Sequence, residues 1–287
     1  MFQIYNENMK LIPLPTDVMG YGLAALDLTL SSTSQDVTEH NLPGWPGTID
    51  TGYQDSGRDM SISMRLKAKN PIDYRVKRDA MFAYFKRLGT FFVAEGYQPN
   101  KIMRVRVVES YAPSRPENNQ TFATVEIPLR IVGQPYWISK FKSTDLKTMP
   151  MVESWNIGLG IDPNKVDYQF TNQSSFNVYN AGTVPLKTIQ EIDNCIITIT
   201  INQTVTNFKL YDATGKYFEY NPSKDTKWNI AAGTKLVING QRITLNNTPI
   251  LDRTNRYFLL IQPGDNNMRI EGMTNYTITF DFRFKYD

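Results

Sequence analysis

Apolar and polar positions alternate along much of the chain. Met60, Ile62, Met64, Leu66 and Ala68 are interleaved with Ser61, Ser63, Arg65 and Lys67. This spacing predicts a strand with one buried and one wet face. Ile102 to Tyr111 repeats it, with Met103, Val105 and Val107 set against Arg104 and Arg106. Val125, Ile127, Leu129 and Ile131 mark a third strand. Pro128 falls inside it and has no N–H for a ladder, so this strand is expected at a sheet edge or with a bulge.

One stretch carries the helical period instead. Asn70 suits a cap, Pro71 the first helical position, and Asp73 the positively polarised first turn. Tyr74, Met81, Phe85 and Leu88 then line one face, which predicts a helix to Leu88. Lys86 and Arg87 suit its last turn, and Gly89 suits a left-handed end. The outer face, with Arg75, Lys77, Arg78 and Asp79, reads either as solvated or as a subunit contact.

After Gly133-Gln-Pro-Tyr-Trp137 the pattern weakens. Residues 138–165, with Pro150, Gly158, Gly160 and Pro163, read as a connector. Short strands then resume: Ser175 to Tyr179, Val184 to Ile189, Cys195 to Ile201, Val205 to Leu210, Arg256 to Ile261 and Tyr276 to Phe284. In Lys235 to Leu245 the Asn239-Gly240 pair marks a tight hairpin turn, since both residues tolerate positive φ. Closely spaced short strands with turn signals imply a β-sandwich. The two halves read as separate domains without a repeat between them.

Composition narrows the function classes. Among 287 residues, 31 Lys and Arg against 28 Asp and Glu leave a net charge of +3, spread along both halves. No basic block suggests nucleic-acid binding. Cys195 is the single cysteine and His40 the single histidine, which excludes an internal disulfide and a Cys/His metal cluster. Cys195, inside an apolar run, reads as a small buried hydrophobe. No stretch approaches the roughly 20 apolar residues of a membrane helix. Met1 to Asn6 has neither a basic leader nor an apolar signal core, so a soluble protein made in a cytoplasm is expected.

Two runs imitate an aspartic protease, Asp50-Thr-Gly52 and Asp55-Ser-Gly57. That chemistry needs two carboxylates brought together from symmetric halves, and two motifs on one loop do not supply them. The Gly- and Pro-rich run 41–57 reads as an extended loop with turn chemistry. Trp45, Trp137, Trp155 and Trp228 and the tyrosines are a resource for stacking on sugars, although most are expected in cores or interfaces.

Taken in order, these elements end in two short signatures, Asn180-Ala-Gly-Thr183 and Gln262-Pro-Gly-Asp-Asn266. The succession resembles the distal tail protein family of long-tailed, siphovirus-type bacteriophages over essentially the whole chain. The resemblance implies an all-β fold with one helix. A tail-tube-like β-sandwich would occupy residues 1–137, a connector 138–165, and a galectin-like or carbohydrate-module-like β-sandwich 166–287. It implies a structural protein with no enzymatic activity, metal or cofactor, assembled in the host cytoplasm and placed at the virion tail tip. The chain would form a homo-hexameric ring between the tail tube protein and the tail-associated hub protein, and would support receptor-binding or baseplate proteins. DNA would only pass through the lumen, without sequence recognition, and no membrane is involved. Trp45, Asp50 and Tyr53 on the loop, Arg75 and Arg78 on the helix, and Pro128 are the candidate ring contacts. A carbohydrate-binding module that attaches to the host cell wall is the alternative, and a cell-wall hydrolase the most distant one.

Overall fold

A computed structural model describes residues 1–17, 19–116, 119–148 and 158–287. Trp155 and Pro150 lie outside the described residues. The chain divides into two compact units, residues 1–137 with Asp287, and residues 138–286.

The first unit contains strands β1 (Phe2–Tyr5), β2 (Leu11–Ile12), β3 (Gly22–Leu30), β4 (Ser34–His40), β5 (Ile49–Gly57) and β6 (Met60–Lys67). The helix α1 (Pro71–Leu88) follows, then β7 (Thr90–Glu95), β8 (Lys101–Arg106) and β9 (Phe122–Ile131). Seven of these strands are hydrogen-bonded in the order β2-β1-β7-β8-β9-β6-β3, while β4 and β5 form a separate two-stranded ribbon. The alternation read in β6 is the core: Met60, Ile62, Met64 and Leu66 are all buried. Their cross-strand neighbours Leu129, Ile127, Val125 and Ala123 on β9 are buried too, so one register places both apolar sets on the same face.

Helix α1 closes over this unit. The Asn70 side chain accepts from the N–H groups of Ile72 and Asp73 at 3.0 and 2.8 Å, and Asp73 accepts from the Lys69 N–H at 2.8 Å. Such reciprocal capping satisfies donors that a helix start leaves open. Tyr74, Met81, Tyr84 and Phe85 are buried and Leu88 is half-buried. The Phe85 ring meets Phe91 at 6.4 Å and the edge of Tyr111 at 6.2 Å. Gly89 ends the helix at φ 62° and ψ −112°, a positive φ but not the left-handed helical conformation.

Pro128 is neither at a sheet edge nor at a bulge. β9 lies between β8 and β6, and its register with β6 is unbroken from Phe122 to Leu129. The proline is tolerated for another reason. Thr124 exchanges hydrogen bonds with Ser114 on the side away from β6, and β8 meets β9 only from Arg130 onward. By alternation the Pro128 nitrogen faces the stretch between these ladders, where no N–H is required.

In the second unit β10 (Trp137–Ser139) opens at the boundary. It is followed by β11 (Gln169–Thr171), β12 (Ser175–Asn180), β13 (Leu186–Lys187), β14 (Cys195–Ile201), β15 (Phe208–Tyr211) and β16 (Tyr217–Tyr220). Then come β17 (Thr234–Asn239), β18 (Arg242–Leu245), β19 (Thr248–Pro249), β20 (Leu260–Ile261), β21 (Gly264–Glu271), β22 (Tyr276–Phe282) and β23 (Lys285–Tyr286). One sheet runs β11-β22-β14-β17-β18-β19 and the other β12-β21-β15-β16. They pack through aromatic side chains: Phe170 stacks on Phe176 at 4.5 Å, and Phe176 meets Phe280 at 5.9 Å. Cys195 is buried at the start of β14, and burial pushes its thiol pKa up, away from reactivity.

The described parts of 138–165, expected as a connector, are built into this unit. Phe141, Leu146, Leu159 and Ile161 are buried. Ser143 Oγ donates to the Phe280 carbonyl at 2.8 Å, and Lys142 pairs with Asp281 at 2.6 Å. The hairpin turn near Asn239 is displaced by one residue. Asn239 pairs with Arg242, so the turn is Gly240-Gln241, and Asn239 instead bonds Asp193 through its side chain. A two-residue turn with both φ positive occurs at the next hairpin, at Asn246 (46°) and Asn247 (68°).

Both signature segments are structural. Asn180 accepts from the Gly182 N–H at 3.0 Å and donates to the Val184 carbonyl at 3.3 Å. A Cβ on Gly182 would lie 2.3 Å from the Lys285 carbonyl oxygen, so only glycine fits against β23. Asn266 is fully buried and donates to the carbonyls of Val178, Gln262 and Gly264. Asp265 accepts from Lys165 and Asn177. Lys285 and Glu191 form an ion pair whose side chains are 4% and 3% exposed; burial lowers the Lys285 pKa, and Glu191 opposes that shift.

Two outcomes are expected. A fragment covering 138–286 should unfold cooperatively. One starting at 166 should melt about 10 °C lower or more, because it loses four buried apolar side chains worth about 1.5 kcal/mol or more each. Calorimetry of the two fragments measures this. In the full chain, Glu191→Ala should cost about 3–5 kcal/mol in denaturant titration, because it strips a buried ammonium of this carboxylate.

Candidate assembly surface

The run expected as an extended loop is a β-hairpin arm. Its register joins Gln35 to Asp55, Asp36 to Gln54, Val37 to Tyr53, Glu39 to Asp50 and His40 to Ile49, with irregularities near Ser34 and Thr38. Nearly every residue of the arm is exposed. Val37 and Tyr53, opposite each other, are 52% and 68% exposed, and Trp45 at the tip is 65% exposed. A lone two-stranded ribbon has no face to bury.

The arm's root is held firmly. The Arg58 side chain is 8% exposed; its guanidinium donates to the carbonyls of Ser31 and Pro135 and lies 3.4 Å from an Asp287 carboxylate oxygen. Tyr136 donates its hydroxyl to Asp55, and Gln35 donates to the same carboxylate at 3.1 Å. The Tyr136 bond, with that from Gln35, holds Asp55 below the ordinary aspartate value, and burial together with Asp55 pushes Tyr136 up to about 12. A cleft of about 510 Å³ beside this root is lined by Ser34, Ser56, Arg58, Glu109, Leu129 and Arg130.

The candidate contacts are therefore distributed over three places. Trp45, Asp50 and Tyr53 stand on the arm, Arg75 and Arg78 on α1, and half-buried Pro128 on β9. Asp50 accepts from the Gly52 N–H at 2.8 Å and stands opposite Glu39, whereas Asp55 stands opposite Gln35 at the root. The Asp-Thr-Gly and Asp-Ser-Gly runs are thus arm geometry and not a catalytic pair. The periodicity argument overlooked Ile72 and Val76, which are 77% and 62% exposed on the outer face of α1. Their spacing of four, opposite Met81 and Phe85, was the available signal. Val76 lines a groove of about 380 Å³ together with Leu23, Leu66 and the Lys77–Asp17 pair.

In the second unit the open sheet face carries its own counter-groups. The Arg269 guanidinium lies 3.8 Å from the Tyr211 ring centre and the Lys209 amine 4.4 Å from that of Tyr217. Trp228 has Arg253 at 3.7 Å. In each of these three rings one face is taken by a cation. Among the described residues no group of three or more His, Cys, Asp or Glu could hold a metal ion, and no helix is long and apolar enough to cross a membrane.

Residues 22–131 match the model of the phage tail protein RIFT-related domain, and residues 190–284 that of the siphovirus-type tail component, C-terminal domain. The two matches stand in this order, one in each compact unit. The chain belongs to the siphovirus distal tail protein family. Its fold is similar to that of SPP1 Dit (gp 19.1), described as a paradigm of the hub adsorption apparatus in phages that infect Gram-positive bacteria. The TM-score is 0.58 at 12% identity, over 99% of both chains. The phage p2 baseplate in its activated conformation also matches, at 9% identity and a TM-score of 0.41 over 98% of this chain and 97% of that one. No curated protein matches the sequence. As a distal tail protein, the chain is a structural hub component of the virion tail.

Because the arm pairs only with itself among the described residues, deleting residues 36–54 and closing the gap with two glycines should leave the melting temperature of the full chain within about 2 °C. Differential scanning calorimetry checks this. A larger drop would mean that the arm contributes to the core.

Proposed function

We propose that six copies of this chain form a closed ring at the tail tip, joining the tail tube protein to the tail-associated hub protein. The observation that carries this reading is the arm. β4 alone spans roughly 20 Å at about 3.3 Å per residue, and it holds Val37, Trp45 and Tyr53 away from its own unit. An arm with a firm root and bare apolar side chains is half of an interface. A contact between the arm of one copy and a different surface of the next is heterologous, and such contacts close into rings when the rotation fits. A terminal adaptor must also match the rotational order of the tube it extends.

The ring runs through the first unit, with Trp45, Asp50 and Tyr53 contributed by one copy and Arg75 and Arg78 by the next. Pro128 lies near the arm root, on β9. The second unit faces the receptor-binding or baseplate proteins, DNA passes through the lumen without sequence recognition, and assembly takes place in the host cytoplasm. The family is structural, and no enzymatic step is assigned.

Electron microscopy of tail tips, with this protein labelled, should show six copies around the axis. Threefold order, or density outside any ring, would overturn the proposal. Tips assembled with the 36–54 deletion should lack the ring even though the deleted protein folds.

A further inference from the structure

Asn239-Gly240 is the only Asn-Gly pair in the chain. In such a pair the glycine nitrogen can attack the side-chain carbonyl carbon before it, and a residue without Cβ obstructs that approach least. The Gly240 nitrogen bonds to Asn239 Cγ while the Cγ–Nδ2 bond breaks. The proton lost by Gly240 goes to the leaving nitrogen, which departs as ammonia. Water then opens the cyclic imide at one of its two carbonyls and leaves aspartate or isoaspartate. No other reactant is needed.

The surrounding structure opposes this reaction. Asn239 is the last residue of β17 and is paired with Ile196 of β14 and Arg242 of β18. Its amide oxygen accepts from the Asp193 N–H at 2.7 Å, and its amide nitrogen donates to the Asp193 carboxylate at 2.7 Å. Both polar atoms of the reacting group are thus committed to one residue. Beside Asp193, Ile192 closes on the turn: a Cβ built on Gly240 would lie 2.5 Å from Ile192 Cγ1. Turning the Asn239 amide onto the Gly240 nitrogen breaks the two bonds to Asp193. A hydrogen bond to a charged group is among the stronger ones to give up.

We infer that Asn239 is a site of spontaneous deamidation, that Asp193 sets its rate, and that conversion loosens the β17–β18 hairpin irreversibly. The product cannot restore the clamp. A carboxylate oxygen replaces the donor that met Asp193, so two negative charges stand where a hydrogen bond was. Isoaspartate also adds a carbon to the main chain at a position paired on both sides, which disturbs the register. A copy built into a virion tail is not replaced by new synthesis, so the clamp lengthens the working life of the particle.

The test is peptide mass mapping of the full chain, held folded in mildly alkaline buffer and sampled over time. The peptide containing Asn239 should show the amide-to-acid mass change, and the separated isoaspartyl form, before any other asparagine peptide. Asp193 is exposed, so replacing it opens no core. Asp193→Ala should speed conversion roughly tenfold to a hundredfold, the range expected for lost bonds to a charged group. Asp193→Asn keeps an acceptor and should stay within about threefold of the unaltered rate. In urea, where the clamp is gone, all three chains should convert at the same rate. Asn239→Asp, which carries the product side chain on a normal backbone, should melt about 2–4 °C lower. Equal rates for the unaltered and Asp193→Ala chains when folded, or a faster variant in urea, would overturn the clamp. Earlier conversion at another asparagine would overturn the site, and an Asn239→Asp chain of full stability would overturn the loosening.

Discussion

The placement of the arm depends on Arg58. Its planar guanidinium reaches the Ser31 and Pro135 carbonyls and the Asp287 carboxylate, from a side chain that is almost fully enclosed. Ser31 precedes β4 and Arg58 follows β5, so one side chain ties together the two points where the arm leaves the sheet. A lysine could not bridge three acceptors with one planar fork. Tyr136 adds a second tie through Asp55. Without these ties a ribbon that buries nothing would sample many directions. With them, the root of the arm is fixed, which lowers the ordering cost of any contact the arm makes.

What was legible in the sequence follows from where burial is satisfied. Met60 to Ala68 and Val125 to Leu129 could be read because each strand is buried against its own chain, and that burial imposes the alternation. Helix α1 could be read from Asn70 to Gly89 because its cap, its apolar face and its end are all local. The arm could not. Nothing in its own unit packs on it, so its sequence carries Gly, Pro and charge in place of a period, and a loop was the natural expectation for residues 41–57. β16 and β21 were missed for a related reason. Gly264 to Glu271 alternates Asn266, Met268 and Ile270 inward, and a buried asparagine hides the pattern.

Smaller departures have local causes. Asn239 occupies the last strand position because its side chain is committed to Asp193, so the turn moves on to Gly240. Pro128 shows that a proline inside a sheet reports an unneeded N–H and not necessarily an edge. That Glu39 stands opposite Asp50 could not be read either, because register is not visible in a linear sequence.

The two units answer the same physical demand in opposite ways. In the second unit, charge is matched internally: Lys285 with Glu191, Lys142 with Asp281, and Arg269 with Glu271 and the Tyr211 ring. In the first, helix α1 pairs Lys77 with Asp17 and Arg78 with Asp79, while the ribbon keeps Val37, Trp45 and Tyr53 exposed. In the ring proposed above, identity of the copies makes every contact equivalent.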